Sequence, residues 1–96
     1  MKVLVIYDIT DDTLREKVAS VLKGFGLARV QKSAFLGTIN SSSLKELKVV
    51  ISKLIRGERA NVQFYPLCRW CYSLRDVMGV PTVEEGLLHD QQIILV

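Results

Sequence analysis

Hydrophobic residues run without a break from Val3 to Tyr7, and Asp8 closes the run. A strand that is apolar on both faces is typical of a central strand that other elements cover on two sides. We therefore predict a central strand over residues 2–8. Its side chains alternate between two faces, with Leu4 and Ile6 on one and Val3, Val5 and Tyr7 on the other. Asp8 then lies at the carboxyl end of the strand, where the strand fixes it and the following loop leaves it open to solvent.

The next segment has apolar residues at helical spacing from about residue 12 to residue 23, and two glycines follow it. Thr13 and Glu16 fit a capping box, with Asp11 or Asp12 as the alternative cap. A second amphipathic segment begins after Asn40 and three serines and ends at Gly57. Its predicted capping box consists of Ser43 and Glu46.

Three further extended segments complete the pattern. They cover residues 27–30, residues 34–39 after a tight connection, and residues 61–65, where Pro66 ends the strand. The order strand, helix, strand, strand, helix, strand predicts an α+β, ferredoxin-like βαββαβ sandwich. This fold leaves one sheet face bare, so we predict a homodimer that packs through its sheets.

The pattern loosens after Pro66. We predict a helical turn over residues 69–74, a short extended piece over 75–77 and a mixed loop over 81–92. The last four residues are apolar and are expected to add as a strand to a sheet, either in their own subunit or in the dimer partner. We therefore divide the chain into a ferredoxin-like domain, residues 1–78, and a C-terminal extension, residues 79–96.

Composition bounds the class of protein. The chain has 96 residues, 49% of them hydrophobic, which predicts one domain with a thin core and favours oligomerisation. No apolar run approaches the ~20 residues that a membrane helix needs. The N-terminal apolar run is too short for a signal peptide, so we expect a cytoplasmic protein.

The net charge of +3 is unevenly distributed. Residues 17–75 contain eleven basic residues and only two acidic ones, Glu46 and Glu58. A basic middle suits a polyanion such as DNA or RNA. The alternative is a pair of solvated, lysine-bearing helices.

Cys68 and Cys71 form a C-x-x-C motif. A zinc site usually has four ligands, and His89 lies far along the chain with no companion. A redox pair is expected after an early strand, whereas this motif follows a late one. We therefore predict buried or half-buried thiols.

Asp8 is the main candidate for chemistry. In a two-fold dimer, two Asp8 carboxylates that approach each other repel or attract a cation, and Mg²⁺ accepts one or two carboxylates. Such an ion can orient a water on a phosphodiester. The alternative is that Asp8 caps the following turn.

Other residues near Asp8 are weaker candidates. Tyr7 is expected in the core or an interface. Arg15 lies in the first turn of a helix, where a positive charge is unfavourable, so a phosphate contact is one explanation. Ser33 and Phe35 flank the break between two strands, and Phe35 either stacks on a base or packs in the core or an interface. Walker, dinucleotide-binding, zinc-protease and serine-esterase motifs are absent from the sequence.

Three segments resemble the CRISPR-associated protein 2 family. They are Val5-Ile6-Tyr7-Asp8-Ile9 with Leu14-Arg15-Glu16-Lys17-Val18, then residues 26–37, and then Tyr65-Pro66-Leu67-Cys68-Arg69-Trp70-Cys71. The resemblance covers roughly residues 1–78, in order and at fitting spacing. It implies a ferredoxin-like homodimer in which Asp8 of each subunit binds a shared Mg²⁺. It also implies secondary site candidates, which are Tyr7, Arg15, Arg29, Ser33 and Phe35.

The resemblance leads to two functional hypotheses. The first is a magnesium-dependent endonuclease on single-stranded RNA or double-stranded DNA that acts in spacer acquisition for antiviral defence. The second is a non-catalytic DNA-binding adaptor dimer that bridges the CRISPR integrase. A third hypothesis, outside this family, is a small ferredoxin-like RNA-binding or regulatory domain, which predicts a monomer with aromatic residues on an open sheet face.

Overall fold

A computed structural model describes residues 1–80 of the chain. Six elements follow in the predicted order, and a short helix comes after the last strand. The bounds are β1 Lys2–Ile9, α1 Asp12–Gly24, β2 Ala28–Gln31, β3 Ala34–Thr38, α2 Ser41–Ile55, β4 Ala60–Leu67 and α3 Arg69–Ser73. The predicted loop and strand within residues 81–96 lie outside the described residues.

The four strands form one antiparallel sheet in the order β2-β3-β1-β4. The central position predicted for β1 is confirmed, because β3 pairs along one side of it and β4 along the other. This strand order, with two helices on one face, is the predicted ferredoxin-like α+β fold.

The core lies between the sheet and the helices α1 and α2. Alternate residues of β1 supply its sheet side, and Leu22 and Leu47 of the helices are fully buried against them. Each side chain of this size contributes about 1.5–3 kcal/mol when it is fully buried. The sheet residues in this layer are Val3, Val5, Tyr7, Ile9 and Phe35.

The opposite side of the sheet is called here the second face. Directly paired residues of antiparallel strands lie on the same side, so the register defines its members. They are Leu4, Ile6 and Asp8 of β1, Ala34 and Leu36 of β3, and Asn61, Gln63 and Tyr65 of β4. Leu4 and Ile6 are half-buried and Tyr65 is 45% exposed.

The helix caps correct part of the sequence interpretation. Asp11 caps α1, because its carboxylate accepts the Leu14 backbone N–H at 2.7 Å, which was one of the predicted alternatives. Asn40 caps α2 by accepting the Ser43 N–H at 2.8 Å. The predicted capping box of Ser43 and Glu46 is wrong, because Ser43 already lies inside the helix.

The predicted end of the fourth strand is also wrong. β4 continues through Pro66 to Leu67, and Pro66 lies opposite Val3. Proline lacks a backbone N–H, but β4 is an edge strand, where a missing donor on the outer side breaks no bond of the sheet.

The segment after β4 differs from the prediction in one respect. The helical turn is confirmed as α3, whereas residues 75–77 form no strand. Cys68 and Cys71 are exposed, so the prediction of buried or half-buried thiols is wrong. The physical reason is that α3 has no buried residue and extends beyond the core.

No helix within residues 1–80 is long and apolar enough to cross a membrane.

Candidate functional site

Asp8 lies near the carboxyl end of β1, on the second face. The pairing with β3 ends at Ile6, whereas the pairing with β4 continues and places Asn61 directly opposite Asp8. The Asp8 side chain is exposed. Within residues 1–80 its carboxylate has no hydrogen-bond or ion-pair partner. The predicted alternative, in which Asp8 caps the following turn, is wrong, because within residues 1–80 the Asp8 carboxylate accepts no backbone N–H.

An open depression surrounds Asp8, with a volume of about 390 Å³. Its lining contains two carboxylates, one guanidinium, one hydroxyl and one amide. The lining residues are Asp8, Thr10, Glu58, Arg59, Ala60 and Asn61. The strand fixes the position of Asp8, and the loop before β4 supplies Glu58 and Arg59. The site is therefore rigid on the strand side and open to a ligand on the other.

The donor set fits part of a magnesium site. Within residues 1–80 there is no group of three or more His, Cys, Asp or Glu side chains that could hold a metal ion. Mg²⁺ needs fewer protein ligands than zinc, because it keeps several waters and takes one or two carboxylates. One chain offers the Asp8 carboxylate with the amide oxygen of Asn61 and the hydroxyl of Thr10 nearby. Glu58 of the same lining, or Asp8 of a second subunit, would supply a second carboxylate.

Asn61 is a residue that the sequence interpretation missed. It ends a row of polar side chains on β4, in which the Tyr65 hydroxyl donates to Gln63 Oε1 and Gln63 Nε2 donates to Asn61 Oδ1 at 2.7 Å. The row fixes the Asn61 amide beside Asp8. The available signal was the alternation of Asn61, Gln63 and Tyr65 with apolar residues, but the register that brings Asn61 opposite Asp8 cannot be read from the sequence.

Three of the predicted site residues lie on the core face instead. Phe35 is fully buried and stacks on Tyr7, with 6.2 Å between the ring centroids. The Tyr7 hydroxyl donates to the Lys32 backbone oxygen at 3.2 Å. The Arg29 guanidinium lies over the Phe35 ring at 5.2 Å. Phe35 is therefore a core residue and has no exposed ring surface for a base.

The Arg29 side chain has one unusual atom. Its Nε is buried and has no hydrogen-bond partner among the described residues. Because Arg29 is on the core face, this atom and Asp8 lie on opposite sides of the sheet. The structure does not bring Arg29 and Asp8 together.

Arg15 and Ser33 have structural contacts. Arg15 donates to the Ile9 carbonyl at 3.1 Å and forms an ion pair with Asp12, so it connects the end of β1 to the start of α1. These contacts explain a positive charge in the first turn of α1 without a phosphate. The Ser33 carbonyl accepts the Tyr7 N–H at 3.0 Å in the connection between β2 and β3.

The basic residues are mostly exposed, and many of them lie on the helices. Exposed lysines of α1 and α2 include Lys17, Lys23, Lys45, Lys48 and Lys53. The helices pack on the core face, so this charge and Asp8 are on different sides of the molecule. A polyanion partner stays a prediction.

The family profile described as CRISPR associated protein Cas2 matches residues 1–75 of this chain. The chain belongs to the Cas2 family. This confirms the resemblance seen in the three sequence segments, and the hypothesis of a domain outside the family is set aside.

Known Cas2 proteins agree with this assignment. The CRISPR-associated endoribonuclease Cas2 of Korarchaeum cryptofilum is 44% identical over 68 residues, which cover 71% of this chain and 73% of that protein. The crystal structure of Streptococcus pyogenes Cas2 has the same fold, with a TM-score of 0.65 and 24% identity, and the match covers 78% of this chain and 96% of that chain.

A third relative joins two Cas proteins in one chain. The CRISPR-associated endonuclease Cas1/endonuclease Cas2 fusion of Thermoproteus tenax is 40% identical over 65 residues. The match covers 68% of this chain and 25% of the fusion. In that protein a Cas2 domain is therefore covalently linked to a Cas1 endonuclease.

Proposed function

We propose that this protein is a magnesium-dependent endonuclease of CRISPR spacer acquisition, and that it acts as a homodimer in which both Asp8 carboxylates serve one site. The observation that carries the proposal is the exposed, unpaired Asp8 carboxylate on the second face. Relatives that are named endoribonucleases support single-stranded RNA as the first substrate to test. Double-stranded DNA is the second.

The second face supports a sheet-to-sheet dimer. Leu4 and Ile6 lie at the centre of this face, and Leu36 and Tyr65 flank Leu4 on the neighbouring strands. Packing of a second copy would bury the exposed parts of Leu4, Ile6 and Tyr65, since two stacked sheets lie about 10 Å apart with interdigitated side chains, whereas Leu36 is already buried in one chain. A two-fold interface presents the same residues from both subunits. It would therefore add a second Asp8 to a site that has one.

The chemistry follows from the ligands. A magnesium ion in this site would orient a water and neutralise charge on the phosphodiester. The two Asp8 carboxylates would hold the ion. In each subunit β1 would fix its own Asp8, because β1 is paired on both sides over most of its length. Asn61 would add a neutral oxygen and, through its hydrogen bond to Gln63, would keep a fixed orientation. The exposed lysines would attract the polyanion at long range.

The second candidate function is a DNA-binding adaptor for the CRISPR integrase. The natural fusion of a Cas2 relative to Cas1 supports a partner of this kind. In this role the exposed lysines hold DNA, and Asp8 does not need to cleave it.

One experiment separates the two functions. We expect Asp8→Asn to lower magnesium-dependent cleavage of single-stranded RNA by at least about 100-fold, because changes beyond the first ligand sphere already have effects of up to that size. The matched control is Glu16→Gln, an exposed acid on α1 that should leave cleavage unchanged. Both variants are also tested in spacer integration with the Cas1 partner.

The outcomes distinguish the roles. If Asp8→Asn loses cleavage but keeps spacer integration, the protein is a nuclease that acts in spacer acquisition as an adaptor. Unchanged cleavage in Asp8→Asn removes Asp8 from the chemistry and contradicts the proposed site.

A further inference from the structure

The two cysteines share the first turn of α3. Cys68 is the N-cap residue, and its Sγ accepts the Cys71 backbone N–H at 3.2 Å. Residues three positions apart in a helical turn are neighbours, so both thiols are on the same side of the turn. This spacing brings the sulfurs within reach of each other.

Both thiols are free and exposed. Their environments also differ. Hydrogen bonds from the Cys71 backbone N–H and the Cys71 side chain lower the pKa of the Cys68 thiol below its ordinary value. The hydrogen bond with Cys68 and its charge raise the pKa of the Cys71 thiol. Cys68 is therefore the thiol of the pair that loses its proton more readily.

Within residues 1–80, Cys68 and Cys71 have no further ligand for a structural zinc site beside them. A structural zinc site has four ligands, and residues 1–80 contain no cluster of three or more His, Cys, Asp or Glu side chains. A disulfide needs only the two sulfurs. The exposed pair thus has the composition of a redox site.

We propose that Cys68 and Cys71 form a thiol–disulfide exchange site that reacts with small-molecule disulfides such as oxidised glutathione. The Cys68 thiolate attacks one sulfur of the disulfide, its S–S bond breaks, and one thiolate leaves and takes up a proton. Cys71 then loses its proton and attacks Cys68 Sγ, which forms the internal S–S bond and releases the second thiol. Two protein thiols are oxidised, and one disulfide is reduced to two thiols.

The site is separate from the candidate metal site. Cys68 follows Leu67, which lies opposite Lys2 at the first residue of β1, whereas Asp8 lies near the other end of that strand. Asp8 is six positions along the strand from Lys2, which corresponds to about 20 Å. Tyr72 of α3 lies 4.8 Å from Lys2 Nζ, so the turn that carries the thiols contacts the start of β1. The thiol chemistry can therefore be tested without a nuclease assay.

The experiment uses the full-length reduced protein and oxidised glutathione at neutral pH. After an acid quench and removal of glutathione, the protein is returned to mildly alkaline pH, where iodoacetamide alkylates the remaining thiolates and mass spectrometry counts them. We expect a product with no disulfide between chains, in which each chain is lighter by two hydrogen atoms and carries no iodoacetamide label. The two cysteines are the only ones in the chain, so Cys68→Ser/Cys71→Ser is a control with no reactive thiol.

Single variants test the order of attack. Cys71→Ser should trap one glutathione on Cys68, because the resolving thiol is missing. Cys68→Ser should form no internal disulfide either, and a mixed disulfide on Cys71 that forms as fast as the one on Cys68 in Cys71→Ser contradicts the proposed order of attack.

Two results would overturn the proposal. One is wild-type protein that keeps two alkylatable thiols in excess oxidised glutathione. The other is a product that consists of disulfide-linked chains rather than an internal disulfide. Both are read from the wild-type protein, so a folding defect in a variant does not affect the decision.

Discussion

Asp8 and Tyr7 are consecutive residues of β1, but they have opposite surroundings. Tyr7 is buried at 5% exposure on the core face, whereas Asp8 is exposed on the second face. The alternation of side chains along a strand produces this difference. Tyr7 therefore supports the position of β1 and the connection to Lys32, and Asp8 is available for a ligand.

The Tyr7→Phe variant should separate these two roles. It removes the hydroxyl that donates to the Lys32 backbone oxygen and leaves the ring packed on Phe35. We expect the free energy of unfolding to fall by about 1 kcal/mol, the usual net contribution of such a hydrogen bond. Urea denaturation measures the loss. Cleavage per folded molecule should not change, and a large drop in it would assign Tyr7 to the chemistry.

Asn40 provides a second test at single-residue scale. The Asn40→Ala variant removes the side chain that caps α2 and should lower the free energy of unfolding by about 1 kcal/mol. Ser43→Ala is the matched control, because the Ser43 side chain makes no cap and alanine is the better helix former. The midpoint of urea unfolding should fall for Asn40→Ala and stay level or rise for Ser43→Ala. The reverse order would support the capping box expected from the sequence.

The secondary-structure elements show where sequence patterns are sufficient and where they fail. The six elements were predictable because each has a clear apolar period and a local stop signal. The extent of β4 was not, because whether Pro66 ends a strand depends on whether that strand is at an edge. The exposure of Cys68 and Cys71 was missed for the same kind of reason, since it depends on where α3 lies relative to the core.

Gly37 shows how β3 constrains its neighbours. A Cβ at this position would lie 2.8 Å from Leu27 Cδ2 and 3.2 Å from Leu27 Cα. We expect Gly37→Ala to lower the free energy of unfolding by about 1–3 kcal/mol, the usual effect of overpacking. Gly24→Ala is the control, because nothing lies within 4 Å of its added Cβ, and it should be neutral or stabilising by about 0.5 kcal/mol. Thermal unfolding of both variants measures the difference, and equal midpoints would contradict the close contact.

At the scale of the whole molecule, the proposed magnesium site combines Asp8 of two subunits. The sequence was sufficient to identify Asp8 as its main residue, because the end of an apolar strand is a recognisable place. Asn61 was not predictable, because its position beside Asp8 depends on long-range strand register. The separation of Asp8 from Arg29 and Phe35 also depends on the sheet, which puts Asp8 on one face and the other two residues on the opposite face.

The proposed dimer makes a specific prediction about surface substitutions. Leu4→Lys places a charge at the centre of the second face and should weaken self-association by about 100-fold or more, because burial of an unpaired charge costs several kcal/mol. Val49→Lys is the control, since Val49 is 51% exposed on α2, in the layer on the other side of the sheet. Sedimentation measures the oligomeric state. Loss of both the dimer and cleavage only in Leu4→Lys supports the shared site, and a dimer that survives Leu4→Lys contradicts packing through this face.

The two outer strands of the sheet protect the protein from uncontrolled polymerisation. β2 has only four residues and its pairing is irregular between Arg29 and Gln31, while β4 carries Pro66. Short edges, irregular pairing and proline all hinder the addition of foreign strands. A Pro66→Val variant would give β4 a backbone N–H at residue 66. Light scattering of concentrated samples should then show more aggregation for the variant than for the natural chain.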